Sequence, residues 1–291
     1  MSINIEMEIQ SNIIANKYNI DKFIGNGKFG KVYRGIINKT NTYVAIKLED
    51  KSTSYKLLKR ETSILKYLYE KKCRSIPSVY WFGEIDDSMG LIMTYYDCSL
   101  FEYLNIKTIS ESKLNYIMVK CIHILESIHS NFVIHRDIKP HNFMIKNGEI
   151  FLIDFGLATF WVNDEHLHIS NSTSEQLVGT PKYISPNIHD GWTPSRRDDI
   201  ISLGYIYIYL FAQELPWDSV YTDTKNETYN NEIHILHSKN KQRKILKSIE
   251  HILPICENIN KYICSFFQIC YNIDFHETPK YNSLCTIFAD K

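Results

Sequence analysis

The sequence predicts an α+β protein built as two lobes, a small antiparallel-sheet N-lobe with one helix and a larger, mainly helical C-lobe. Apolar and polar residues alternate between turn signals over the first ~50 positions, as half-buried strands require. One run of helical spacing follows at 54–71, and beyond Asp97 helical spacing dominates. The expected division is a short N-terminal extension at 1–17, an N-lobe at 18–94, a hinge at 95–97 and a C-lobe at 98–291.

Tyr18 to Ile24, Lys31 to Ile37 and Thr42 to Leu48 read as successive strands, the last two joined by an Asn38-Lys39-Thr40-Asn41 turn. From Ser54 to Lys71, Leu57, Leu58, Ile64, Leu65 and Leu68 recur at helical spacing and define one amphipathic helix. Val79 to Glu84 and Leu91 to Tyr95 are further short strands. Leu114, Ile117, Met118, Cys121, Ile122, Leu125 and Ile128 form the stripe of a long core helix ending near His129, with a capping box expected from Thr108 to Glu111. Ile200 to Phe211 is apolar on nearly every side, which places it at the centre of the C-lobe.

The 291 residues are 44% apolar and 23% charged, an ordinary globular composition that excludes disorder and fibrous architectures as starting points. Lys plus Arg and Asp plus Glu number 33 each, so no overall field points to nucleic acid or an anionic membrane as a partner. Met1 to Gln10 carries Glu6 and Glu8 and lacks the basic start and apolar run of a secretory signal. The apolar stretch Ile200 to Ala212 falls short of the ~20 residues that a spanning helix needs. A soluble, monomeric, intracellular protein of the cytoplasm or nucleus is expected. The seven cysteines are odd in number and contain no C-x-x-C pair, so reduced thiols buried as small apolar residues are expected rather than disulfides or a zinc site.

Gly25-Asn26-Gly27-Lys28-Phe29-Gly30-Lys31-Val32 fits G-x-G-x-x-G-x-V, in which glycines let the backbone approach phosphates. Both flanks read as strands, whereas a dinucleotide fingerprint would lead into a helix. Val44-Ala45-Ile46-Lys47 ends the third strand. Glu61 sits inside the apolar stripe of the following helix, with Leu57, Leu58, Ile64 and Leu65 at i−4, i−3, i+3 and i+4. A carboxylate there is costly without a cationic partner. His135-Arg136-Asp137-Ile138-Lys139-Pro140-His141-Asn142 matches H-R-D-x-x-x-x-N at every fixed position, and Asp154-Phe155-Gly156 follows the apolar run Ile150 to Ile153.

In this order and spacing these residues resemble the eukaryotic protein kinase fold, and the sequence between them resembles the casein kinase I family. The resemblance spans about Tyr18 to Phe288. Val44 to Glu49 reads V-A-I-K-L-E as in that family, and Ser185-Pro186-Asn187 stands where most kinases carry A-P-E and this family S-I-N. Gly179-Thr180-Pro181-Lys182-Tyr183, Ser195-Arg196-Arg197-Asp198-Asp199 and Leu215-Pro216-Trp217 resemble its G-T-A-R-Y, S-R-R-D-D and L-P-W. Phe275, Pro279, Tyr281, Leu284 and Phe288 keep its closing motif.

The resemblance implies a serine/threonine protein kinase that uses ATP and Mg²⁺ on protein substrates. Asp137 would orient the acceptor hydroxyl and take its proton, and Lys139 would neutralise charge on the moving phosphoryl group. Asn142 and Asp154 would hold magnesium, with the ATP phosphates and water completing its shell. The implied nucleotide-binding set is Ile24, Gly25, Asn26, Gly27, Lys28, Phe29, Gly30, Lys31 and Val32, then Ala45, Lys47, its partner Glu61, Met93 at the depth of the adenine pocket, and Tyr95 in the Thr94-Tyr95-Tyr96 hinge. Asp199 would hold the catalytic-loop backbone, a role compatible with capping the Ile200 helix. The family's constitutive activity implies that phosphate on Ser170, Ser172, Thr173 or Ser174 is not required. A pseudokinase scaffold is the alternative, disfavoured because Lys47, Asp137 and Asp154 all stand. A small-molecule kinase is disfavoured by the long segment between Asp154 and Pro186.

The sequence departs from the family where basic residues bind a phosphorylated or acidic substrate residue. Thr159 and Glu175 replace lysines, and the basic run after L-P-W becomes Tyr221-Thr222-Asp223-Thr224-Lys225-Asn226-Glu227-Thr228. Lys182, Arg136 and Lys225 remain. The tract Lys239, Lys241, Arg243, Lys244 and Lys247 would compensate for those losses if it folds back, though such a charge run is more often a solvated helix face.

Overall fold

The computed structural model describes residues 13–27, 30–53, 56–106, 109–218 and 239–289. Lys28, Phe29, Thr108 and the Tyr221 to Thr228 run, all named above, lie outside them. The chain divides into two compact units, Met1–Asp97 and Cys98–Lys291.

The first unit is an antiparallel sheet of β1 (Ile13–Ile14), β2 (Tyr18–Gly27), β3 (Gly30–Ile37), β4 (Thr42–Asp50), β5 (Val79–Ile85) and β6 (Ser88–Thr94), in the order β1-β2-β3-β4-β6-β5. β1 falls within the residues expected as an extension and pairs with the start of β2. The strict alternation along β4 sends Val44, Ile46 and Leu48 into a core with Ile14, Tyr18 and Ile92. Ala45, Lys47 and Glu49 therefore emerge on the other face, where helix α1 (Leu57–Glu70) lies.

α1 begins later than expected and its own Lys56 provides no side-chain cap. The cap comes from the sheet instead. Glu49 accepts the Leu57 N–H at 3.1 Å and the Leu58 N–H at 3.4 Å, and its burial raises its pKa despite these bonds.

The second unit is built on α3 (Glu111–His129) and α5 (Arg196–Ala212), which pack on each other. α5 is buried on all sides from Asp198 to Ile208, as its uninterrupted apolar run requires. Around this pair lie α2 (Leu100–Ile106), α4 (Pro186–His189), the helical residues 239–246 (α6), α7 (Ile249–Ile259), α8 (Lys261–Cys270) and α9 (Tyr281–Phe288). Short strands β7 (Cys98–Ser99), β9 (Phe143–Lys146) and β10 (Glu149–Leu152) form one small sheet, and β8 (Val133–Ile134) pairs with β11 (Thr159–Phe160).

Three expectations are corrected here. α3 is capped by Ser110, whose side chain accepts the Lys113 N–H at 3.3 Å, so Glu111 is the first helical residue rather than the end of a capping box. None of the seven cysteines is in a disulfide, but Cys98, Cys264 and Cys285 are only half-buried. The basic tract is not a solvated face, because Arg243 and Lys247 are buried. Among the described residues no helix is long and apolar enough to cross a membrane.

Candidate active site

In the first unit, register decides which side chains share a face. Val32 pairs with Lys47 and Ala45 with Met93, so residues on four implied nucleotide-binding positions lie on the α1 side of the sheet. Lys47 Nζ donates to both oxygens of Glu61, at 2.8 and 3.0 Å. Glu61 is only 2% exposed, which makes this a buried bidentate pair rather than a surface one.

The glycine-rich hairpin pairs Gly25 with Val32, Asn26 with Lys31 and Gly27 with Gly30. At Gly30 a Cβ would meet the Leu48 carbonyl oxygen at 1.9 Å, so no side chain fits there. Ile24 on this hairpin is exposed, Met93 is buried in β6, and the Tyr95 ring packs on Tyr43 with centroids 5.9 Å apart.

In the second unit the H-R-D segment closes on itself. Lys139 Nζ donates to Asp137 Oδ2 at 2.6 Å, and Thr180 Oγ1 donates to Asp137 Oδ1 at 2.6 Å. Lys139 also reaches Thr180 Oγ1 at 3.2 Å, so the three side chains form a closed triangle. Asn142 Nδ2 donates to the Asp137 carbonyl at 2.8 Å. That commits the amide nitrogen and leaves its oxygen as the atom suited to a cation.

The segment before Asp154 is stitched to this loop. His135 Nε2 lies 2.9 Å from the Ile153 carbonyl, and Ile153 N donates to the Asn142 carbonyl at 2.8 Å. Burial lowers the His135 pKa, so the neutral ring donates there and packs edge-on against the fully buried Phe155. Arg136 and Asp154 hold left-handed backbone, with φ of 67° and 68°. Such strain persists only where surroundings over-determine it.

Asp199 supplies that constraint. It accepts the His135 N–H at 2.7 Å and the Arg136 N–H at 2.9 Å, and the His129 ring lies 2.9 Å from Oδ2. Burial pushes its pKa up, but the His129 hydrogen bond, the neighbouring imidazoles and the His135 amide outweigh it, and the net shift is downward. Asp199 does not cap α5. The helix starts at Arg196, and Asp198 reaches back to the Ser195 N–H at 2.7 Å.

Gly179 is held at φ 104°, where a Cβ would meet the Arg136 carbonyl oxygen at 2.6 Å. A glycine is what lets Thr180 come down onto Asp137. In the sequence Gly179-Thr180 is only a mark of resemblance, and nothing in its spacing shows that Thr180 would touch the aspartate.

The donor set suits a hard cation. Asn142 and Asp154 offer oxygen, and among the described residues no group of three or more His, Cys, Asp or Glu forms a closed metal cage. An ion that draws its remaining ligands from phosphate and water fits this set.

The chain matches the family described as protein kinase domain over residues 18–286. That span takes in both the Lys47–Glu61 pair and the Asp137 triangle, and the chain belongs to the protein kinase domain family.

Proposed function

We propose that the protein transfers the γ-phosphoryl group of ATP to serine and threonine hydroxyls of protein substrates, as a casein kinase I-like enzyme. The observation that carries this reading is the Asp137–Lys139–Thr180 triangle. Asp137 accepts a hydroxyl hydrogen bond on Oδ1, so an acceptor hydroxyl replacing or joining Thr180 there has a base for its proton. Lys139, already bonded to the same carboxylate, carries a positive charge to the place where the phosphoryl oxygens move. Lys47, steadied by Glu61, engages the ATP phosphates, with the glycine-rich residues 24–32 covering them. Ala45, Met93 and Tyr95 receive the adenine. Asn142 and Asp154 would hold Mg²⁺, which supplies charge neutralisation at the phosphates.

The family-level reading draws support from the departures from most kinases. Ser185 Oγ and Asn187 Nδ2 both donate to Asp198 Oδ1, at 2.5 and 3.1 Å. The S-x-N mark and the S-R-R-D-D mark thus serve one buried site. Activity without activation-segment phosphorylation is supported by neutral bonds that already dock this segment. Ser172 N donates to Thr193 Oγ1 at 3.0 Å, and Ser174 N to the Gly191 carbonyl at 2.8 Å.

The test is incubation of the folded protein with Mg²⁺-ATP and an array of serine, threonine and tyrosine peptides beside casein. Phosphate on serine and threonine is expected. Incorporation on tyrosine alone would overturn the acceptor assignment, and none at all would favour the scaffold.

A further inference from the structure

Lys247 follows α6 and is 0% exposed. Its Nζ donates to the Pro181 carbonyl at 2.9 Å and the Ile184 carbonyl at 2.7 Å, and lies 3.1 Å from His189 Nε2. The rings of Trp217 and Tyr205 sit 4.9 and 5.1 Å from it. Its backbone is fixed at both ends, with its N–H on the Arg243 carbonyl at 3.0 Å and its own carbonyl accepting the Tyr271 hydroxyl at 2.6 Å. The side chain cannot swing out to water without unpacking α6.

Burial and the adjacent Arg243 push the Lys247 amine well below its ordinary range. Burial, with Lys247 and Arg243, holds the His189 ring at about 2. Both shifts disfavour the charged forms. The Lys247 amine has an N–H for each of the two carbonyls, and the third atom it faces is His189 Nε2.

The two carbonyls belong to one turn. Tyr183 N and Ile184 N donate to the Thr180 carbonyl at 2.8 and 3.1 Å, and Trp217 Nε1 donates to the Lys182 carbonyl at 2.7 Å. The turn 180–184 is thus held from inside by its own amides and from outside by Lys247 and Trp217. Its first residue places a hydroxyl on Asp137.

We propose that Lys247 is a positioning residue for the phosphoryl acceptor: it fixes the turn 180–184, and through it Thr180, so that the acceptor hydroxyl meets Asp137 in register. This rests on the phosphoryl-transfer reading. A lysine inside a run of basic residues is ordinarily solvated, and fold stability alone does not require one here, since apolar groups of similar shape often replace buried polar ones without loss.

The experiment compares Lys247→Met and Lys247→Gln with the wild-type chain, measuring kcat/KM for casein, KM for ATP, thermal midpoint and amide exchange at 180–184. Misplacing a reacting group by about 1 Å can cost up to about a hundredfold. The expected result is a kcat/KM for casein about ten- to a hundredfold lower in Lys247→Met, ATP KM within about twofold, and faster exchange at the Tyr183 and Ile184 amides. Lys247→Gln, which keeps an N–H donor, should fall between. Casein kinetics unchanged in a folded variant would overturn the proposal. So would a parallel loss of ATP binding, casein turnover and thermal midpoint, or failure of both variants to fold, because each would make Lys247 a general stability residue. If the wild-type chain phosphorylates no acceptor, the phosphoryl-transfer reading fails. The exchange comparison then still reports on the turn, and unchanged exchange would reject its fixation by Lys247.

Discussion

Asp199 Oδ1 accepts the backbone N–H of Arg136 at 2.9 Å, across 63 residues of sequence, and the residue it holds has a φ of 67°. A left-handed non-glycine residue costs on the order of 1–3 kcal/mol, and this hydrogen bond with its neighbour on His135 keeps the loop in that state. Asp199→Asn cannot accept both amides, because one carboxylate oxygen becomes an NH₂ facing an N–H. An orphaned buried donor costs about 1–3 kcal/mol. The expected outcome is a lower thermal midpoint and a kcat reduced by about a hundredfold as the loop relaxes. A kcat close to wild type in the folded variant would show that the Arg136 conformation does not depend on Asp199.

Asp137 touches Lys139 and Thr180 through its carboxylate, and Asn142 through both its carbonyl at 2.8 Å and Oδ2 at 3.3 Å. Asp137→Asn keeps the shorter bond, in which the Asn142 amide donates to the backbone carbonyl, but removes the proposed base. Turnover should fall by about 10²–10⁴, the usual contribution of a positioned general base, while ATP affinity changes little. Single-turnover kinetics with equilibrium nucleotide binding measure the two separately. A matching loss of ATP affinity would reassign the residue to nucleotide binding.

The Lys47–Glu61 pair separates stability from function. Lys47→Met leaves the buried Glu61 carboxylate without this partner, and breaking one side of a buried pair costs roughly 3–5 kcal/mol. The double change Lys47→Met/Glu61→Leu removes both polar groups and should recover most of the lost thermal midpoint. It should not recover turnover, since the amine proposed to engage the phosphates is gone. Recovery of activity in the double variant would mean that Lys47 serves only Glu61.

These contacts mark what was legible in the sequence. Glu61 stood out because an acid in an apolar helical stripe needs a partner, and the resemblance to protein kinases implied Lys47. The H-R-D and D-F-G segments were legible through fixed local spacing. Thr180 on Asp137, Glu49 on the first turn of α1 and Lys247 beneath the 180–184 turn were not. Each is a contact between distant segments whose residues follow no local period. Lys247 was misread for a physical reason: a charge run predicts solvent only when no packed turn offers carbonyls to its members. The capping box failed similarly, because Ser110 competes with Thr108 as a cap and local pattern alone does not choose between them.

His189 gives the protein an acid-sensitive element. Its folded pKa of about 2 lies below the ordinary value near 6.5, so in that window the unfolded chain binds a proton that the folded chain refuses. Stability is therefore lost as pH falls below about 6.5, at about 1.4 kcal/mol per pH unit. Between pH 7 and 5 the wild type should lose about 2 kcal/mol more than His189→Gln, which cannot titrate. Urea unfolding of both proteins at several pH values reads the difference directly. Parallel pH dependences would show that the ring titrates in the fold as it does in the unfolded chain.

The last prediction concerns substrate choice, where the sequence leaves the casein kinase I pattern. Lys182, which matches one of the anion-binding cations of the casein kinase I family that the sequence resembles, is not simply available to a phosphate. Its Nζ bonds Asp218 at 2.8 Å and lies 4.6 Å from the Tyr209 ring centroid. Arg136 is also engaged, its Nε donating to the Leu157 carbonyl at 2.6 Å. Glu175 is exposed and adds a negative charge where the family has a lysine. A hydrogen bond to a charged group contributes about 1.5–3 kcal/mol, and tenfold discrimination needs only about 1.4 kcal/mol. Losing two or three such bonds removes the preference. The wild-type protein should therefore discriminate weakly between matched phospho-primed and unprimed peptides, by less than about threefold in kcat/KM at fixed ionic strength. Thr159→Lys/Glu175→Lys should raise the ratio, and Asp218→Asn, which releases Lys182, should raise it further. Added salt should erase most of the gain, because exposed charges are screened beyond about 10 Å at 0.1 M. A strong primed preference in the wild type would mean that cations other than Lys182 and Arg136 build the anion site.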